Sequence, residues 1–501
     1  MLMSDMNVSN EIEQPRNSIV SPAEEKKLNN YLKMKRLKMY GLILGSLILI
    51  AAIIIIIVLV IKSKDDDEDD DEKTNDSYKY IIRANYLTII ENEKIKLIND
   101  NVDYNLNLAL FINNKKVNYV NEYQFEKPGI QLVEFKFSEE INNLSSLFME
   151  IDSLKEIDLT GIKADEVNSL EKLFYKCTLL EKVDLSNLMT EKVESMESMF
   201  EGCTSLLEVN MANLSFLNTI STEKMFLNCK KLKNIYLDYF DLTNVEESSY
   251  MFKSCSSLEE ISLKNEKNSS QITMYSMFNQ CKSLKRINLE NFERKVVKRI
   301  SYMFKDCESL ESLDFTKFDT SQITSIEFLF SNCKALKTLD LTQMNISNVD
   351  SMSNAFKNCY ELKSLDLSNF DISKTTMMKG LFSGCSSLES IELNKYLINN
   401  SNINDLFNGC TSLMNVSLSA TNIVNGERVF EGCDSLKYID LSQFNADGTN
   451  ISHFFPNNAT NVLLIYNSSI FGDLNEQIPI GWTKEDVYKN DFPFSSNFLF
   501  N

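Results

Sequence analysis

One histidine, one tryptophan, six prolines and thirteen glycines in 501 residues remove most of the parts that enzymes and cofactor-binding proteins are built from. His453 stands alone, with no nucleophile or acid beside it in a catalytic pattern, so no catalytic residue is assigned and the chain is not expected to be an enzyme. The few glycines form no loop able to cradle phosphate. No Cys or His residues cluster at the short spacing that zinc requires, and no cofactor or metal site is assigned. Positive charge is also scarce: the formal net charge of -20 excludes a phosphate-tracking surface, and with it a nucleic-acid partner. Eight of the negative charges lie in one run, Asp65 to Glu72, which lacks the spaced oxygen ligands and turn glycine of a calcium loop. That run reads as a self-repelling, extended spacer. Finally, no proline falls between Pro128 and Pro456, so nothing breaks a regular array over that stretch.

What the chain has instead is a repeat. Cys177, Cys203, Cys229, Cys255, Cys281, Cys307, Cys333, Cys359 and Cys385 are separated by eight intervals of 26 residues, and Cys410 and Cys433 follow after 25 and 23. Three residues before each Cys stands a Phe, from Phe174 to Phe430, and three after it a Leu, from Leu180 to Leu436. In "ISYMFKDCESL", Ile300, Met303, Phe304, Cys307 and Leu310 fall at the spacing of a buried helical stripe. Further on, pairs such as Val183/Leu185, Ile287/Leu289 and Leu365/Leu367 alternate with period two, the mark of a short strand. Segments such as Asp319-Thr320-Ser321 and Asp371-Ile372-Ser373 supply side chains that cap helix N-termini. The predicted fold class is therefore an α/β repeat, a solenoid with one helix and one short strand per coil. Phe148, Ile151, Leu154, Ile157 and Leu159 form a degenerate first coil, and Phe454 and Phe455 echo the motif at the other end. The cysteines, one per coil and odd in number, read as free buried thiols forming a structural ladder and not as a disulfide framework.

The region before the array divides by composition. Residues 1–38 are polar and read as a disordered cytosolic tail. Met39 to Ile61 is an uncharged apolar run of 23 residues, long enough to span a bilayer of ~30 Å and too far from the N-terminus for a signal peptide. Lys26, Lys27, Lys33, Lys35, Arg36 and Lys38 precede it and only Lys62, Lys64 and Lys73 closely follow. The positive-inside bias then predicts a single-pass type II protein of the cell membrane with its solenoid extracellular. An acidic linker at 62–77 leads to a small β-rich domain at 78–141, in which Leu106, Leu108 and Leu110 alternate, as do Val133, Phe135 and Phe137. The solenoid follows at 142–461 and a C-terminal cap and tail at 462–501. Ten sequons beyond the span, among them Asn143, Asn345 and Asn415, suit a glycoprotein.

The unit L-x-x-I-x-L-x-x-F followed by M-F-x-x-C resembles the BspA-like leucine-rich repeats. The likeness extends to a 26-residue variant whose "SLxxIDLSxFDTS" phrase follows the Cys; Glu311 to Ser321, "ESLDFTKFDTS", and Tyr360 to Ser373, "YELKSLDLSNFDIS", carry it nearly intact. The resemblance covers about two thirds of the chain and implies a leucine-rich-repeat solenoid at a cell surface, serving adhesion or ligand binding, with no catalytic motif. The partners it implies are an extracellular protein or glycan, alongside the bilayer. A cytosol-facing interaction scaffold is the other reading, and would accommodate the free thiols.

Candidate binding residues lie on the outward strand face, at the fifth, seventh and ninth positions after each Cys. In the middle coils these are Ser312, Asp314 and Thr316; Thr338, Asp340 and Thr342; Ser364, Asp366 and Ser368; then Ser390, Glu392 and Asn394. Stacked acids about 5 Å apart repel one another by some tenths of a kcal/mol each, so a cation, a basic ligand or a glycan would relieve them. Alternatively, solvent screens them and the Asp serves only the turn geometry of the unit.

Overall fold

A computed structural model describes residues 78–99, 108–162, 165–266, 270–399, 401–445, 450–470 and 472–488. The described residues form one compact unit within Asp76–Asn501. The tail, the Met39–Ile61 run and the acidic spacer lie outside the described residues. Among the described residues no helix is long and apolar enough to cross a membrane. That finding runs against the single-pass type II assignment, which is not carried further.

In the small domain Tyr80–Thr88 pairs antiparallel with Gly129–Phe137, and Gly129–Phe137 pairs in turn with Leu108–Ile112. Alternation holds: Ile82, Ala84 and Tyr86 are buried, as are Val133, Phe135 and Phe137. The other edge of Tyr80–Thr88 pairs antiparallel with Leu154–Gly161, the strand of the first coil. From there the sheet continues in parallel through Lys182–Asp184, Glu208–Asn210 and Asn234–Tyr236. The domain is thus an end cap, covering backbone and core that the first coil would otherwise expose. Phe135 closes edge-on over the Phe148 ring at 5.7 Å.

Among the described residues the predicted helix of each coil is absent. "ISYMFKDCESL" forms a chain of β-turns, in which the amides of Met303, Lys305, Cys307 and Leu310 each donate to a carbonyl three residues back. The amides between them turn outward along the solenoid. Tyr302, Phe304 and Asp306 donate to Glu327, Leu329 and Ser331 of the next coil at 2.9, 3.0 and 2.8 Å. Two residues per coil, five and one before the Cys, take left-handed backbone, as Tyr302 and Asp306 do with φ of 62° and 61°. A helix can absorb neither, since left-handed residues break the i→i−4 pattern. The expected helix caps are local turns: Ser321 and Ser373 donate their amides to Asp319 and Asp371 at 3.0 Å, with no helix beyond. Each coil is therefore a run of turns, a short strand in every coil but the one at residues 363–367, and a third corner carrying bridges such as Ser325↔Ser351.

The motif residues are the core. The Phe rings from Phe148 to Phe430 are fully buried and stack coil on coil; Phe278, Phe304 and Phe330 lie 5.8 and 5.4 Å apart at interplanar angles of 4° and 8°. Burying such a ring contributes about 1.5–3 kcal/mol, and aromatic pairing about 0.5–1.5 more. Beyond Phe430 the stack turns edge-on through Phe454 and Phe455 to Trp482, whose indole donates to the Ala459 carbonyl at 3.1 Å.

Candidate binding surface

Alternation along the strand fixes which residues face out. Leu313, Leu365 and Ile391 are buried and Leu339 partly so, while Ser312, Asp314, Thr338, Asp340, Ser364, Asp366, Ser390 and Glu392 are exposed. Thr342 and Ser368 are exposed too, and Thr316 is half-buried. The acids have a local task. Each Asp accepts the amide two residues on: Thr316 to Asp314 at 3.1 Å, Thr342 to Asp340 at 2.9 Å and Ser368 to Asp366 at 2.8 Å. This Asx turn ends the strand. The Thr342 hydroxyl and amide hold the Asp340 carboxyl below the usual carboxylate range, against the opposing field of Asp366. Asn210 and Asn288 make the same turn in earlier coils, so the fold asks for a side-chain oxygen there and not for charge.

The strand ladder is interrupted where these residues lie. Ser312–Asp314 and Thr338–Asp340 pair only with each other, and the next long sheet begins at Ser390–Asn399. Between them, residues 363–367 join no strand pairing among the described residues, although Glu389 still donates to the Lys363 carbonyl at 3.0 Å. A cavity of about 330 Å³ opens at this break. Ser364, Asp366, Ser368, Ser390 and Glu392 stand among its walls, over apolar groups from Leu365, Ile391, Leu393 and Val416. Sequence reasoning named these polar residues as a flat strip. The break that turns part of the strip into a concavity leaves no trace in the repeat pattern, because Leu362, Leu365 and Leu367 keep their register.

The cysteine ladder, Cys177, Cys203, Cys229, Cys255, Cys281, Cys307, Cys333, Cys359, Cys385, Cys410 and Cys433, is buried and free. Each thiol has a partner the sequence did not disclose, the backbone carbonyl of the Phe one coil earlier. Cys307 Sγ donates to Phe278 O at 3.1 Å and Cys433 Sγ to Phe407 O at 3.1 Å. Burial pushes the thiols from Cys177 to Cys410 up, Cys385 to about 12, so those ten stay protonated. Among the described residues no group of three or more His, Cys, Asp or Glu is gathered as a metal cage. His453 is an exposed left-handed turn residue at φ 56°.

A sequence profile described as "Mycoplasma protein of unknown function, DUF285" matches residues 125–238, 220–339 and 324–444. The chain belongs to the DUF285 family. Successive matches to DUF285 overlap and together take in the candidate strip and its cavity. No curated protein matches the chain. Among solved structures, a leucine-rich repeat protein from Bacteroides ovatus is 17% identical over 76% of this chain and 99% of its own, with a TM-score of 0.34. A leucine-rich repeat protein from Eubacterium ventriosum is 15% identical over 58% and 76%, with a TM-score of 0.21. The Drosophila Toll–Spatzle complex is 15% identical over 66% and 44%, with a TM-score of 0.23. The words leucine-rich repeat stand in the descriptions of the two bacterial structures, and none of the three descriptions names the 26-residue variant. In this DUF285 chain the motif residues build the scaffold, and the side chains free to differ from coil to coil lie on the strand face and the turn corners.

Proposed function

We propose that this DUF285 protein is a non-catalytic recognition scaffold whose strand face between Ser312 and Glu392 binds a macromolecular partner, a protein or glycan, in adhesion. The observation that carries this reading is the cavity at the ladder break. It combines an apolar floor, hydroxyls and the carboxylates of Asp366 and Glu392 in one concave place, a combination suited to the methylene stem and charged head of a basic side chain. The flanking residues Ser312, Asp314, Thr316, Thr338, Asp340 and Thr342 extend the same polar, acidic surface over two further coils.

The test replaces Asp314, Asp340, Asp366 and Glu392 together by Asn and measures attachment of the purified protein to cells and to a basic protein surface. Asn keeps the Asx turn, as Asn210 and Asn288 already do, so folding is retained while the charge is removed. Attachment is expected to fall at least tenfold; undiminished attachment overturns the assignment.

A further inference from the structure

The corner of the turn run carries a feature that the fold does not require. The position five residues before each Cys needs left-handed backbone, which Asn354 and Gly380 adopt with φ of 56° and 61°. Asn and Gly take that conformation at little cost, whereas a bulky side chain there is a true outlier. Tyr250, Tyr302 and Phe328 nevertheless occupy it, with φ of 61°, 62° and 53°. Tyr275, one residue earlier in its coil, completes an aromatic row across four coils, with ring centroids 5.3, 5.6 and 4.9 Å apart. All four are only half-buried, unlike the motif Phe rings, so they add little to the core.

Cations gather on this row in a chain whose net charge is -20. Arg299 lies over the Tyr275 ring at 4.9 Å, Lys253 over Tyr250 at 5.2 Å and Lys305 over Phe328 at 5.7 Å. Lys298 is exposed beside Arg299. Two acids stand among them: Glu327 accepts a hydrogen bond from Ser351 at 2.6 Å, and Asp306 pairs with Lys305 at 3.7 Å. Backbone donors at this corner are already committed: Tyr302 and Phe304 donate to the next coil, so a peptide strand finds no edge to pair with. Four rings, the phenol hydroxyls of Tyr250, Tyr275 and Tyr302, and the cations Lys253, Arg299 and Lys305 line the row. Those groups match the apolar ring edges, hydroxyls and carboxylates of an acidic sugar polymer.

We propose that the corner around Tyr275, Arg299 and Tyr302 is a second recognition surface, for an acidic polysaccharide running across successive coils. It is independent of the strand-face reading. The purified full chain is assayed by affinity electrophoresis at physiological salt against polygalacturonate, neutral dextran and poly-glutamate, alongside Arg299→Gln and Tyr302→Asn. The expected result is retardation by polygalacturonate alone, weakened at least tenfold in both variants. Tyr302→Asn should keep or raise the melting temperature, since Asn suits the left-handed position; a purely structural tyrosine would lower it instead. The strip variant with Asp314, Asp340, Asp366 and Glu392 neutralised should bind polygalacturonate as before. Absence of retardation, equal retardation of the variants, or poly-glutamate binding as tight as polygalacturonate would each overturn the proposal, the last by assigning the corner to acidic peptides.

Discussion

At the scale of single residues, Cys307 shows how one side chain serves two needs. It fills a small apolar slot, and its thiol gives the Phe278 carbonyl a second donor beside the Cys281 amide, which already reaches it at 3.0 Å. Buried carbonyls are costly to leave under-satisfied, which explains a thiol where Ala would also fit. Because all eleven thiols are buried out of a reagent's reach, none should react with Ellman's reagent in the native protein, and all eleven should react in denaturant. Several equivalents reacting natively would contradict the ladder. Lys295 offers a second test. Its buried ammonium donates to the carbonyls of Leu242 and Thr243 at 2.6 and 3.0 Å. Burial pulls it down to about 8, against the opposing pull of Asp241 and Glu246. A lysine depressed below its unfolded value of about 10.4 binds fewer protons when folded, so stability should rise with pH from about 8 to about 10.4. Denaturation midpoints of Lys295→Met should lack that rise relative to the parent protein.

At the scale of the element, the difference between helix and turn run explains what was legible in the sequence. Ile300, Met303, Phe304, Cys307 and Leu310 are all fully buried, so the inward set was read correctly. The conformation was not, because a chain of three-residue turns returns side chains to one side with nearly the period of a helix. A discriminating signal was present immediately before the Cys. Gly202, Asn228, Asp306, Asn332, Asn358, Gly384, Gly409 and Gly432 place poor helix formers, or residues tolerant of left-handed backbone, in mid-element. The outward strand positions were legible because period two is unambiguous; the ladder break beside Asp366 was not, since it changes pairing without changing pattern. Gly384 makes the turn geometry testable. At φ 77°, with the place of a Cβ only 2.2 Å from Asn358 Oδ1, Gly384→Ala should cost about 1–3 kcal/mol in urea unfolding. A neutral result would mean that this position is not left-handed.

At the scale of the whole array, each coil packs chiefly on its neighbours, with Lys295 reaching two coils back to Leu242 and Thr243, so the ends decide where unfolding begins. The small β domain covers one end through the pairing of Tyr80–Thr88 with Leu154–Gly161. The other ends on Trp482, buried edge-on against Phe455 at 5.2 Å. Trp482→Ala should cost about 3–5 kcal/mol locally. Hydrogen exchange should quicken in the coils after Cys410 while the coils around Cys203 keep their protection; uniform loss along the chain would show that the array unfolds as one block.

The hydrogen bonds that join one turn run to the next, such as Phe304 to Leu329, also settle how the array would carry a mechanical load. They point along the stacking direction, so a pull applied between the two ends strains each interface in tension and opens it as a zip, with no long row of bonds sharing the force. Extension should therefore proceed at low force in steps of one released coil of 26 residues, each adding roughly 3.3–3.6 Å per residue or about 90 Å of slack.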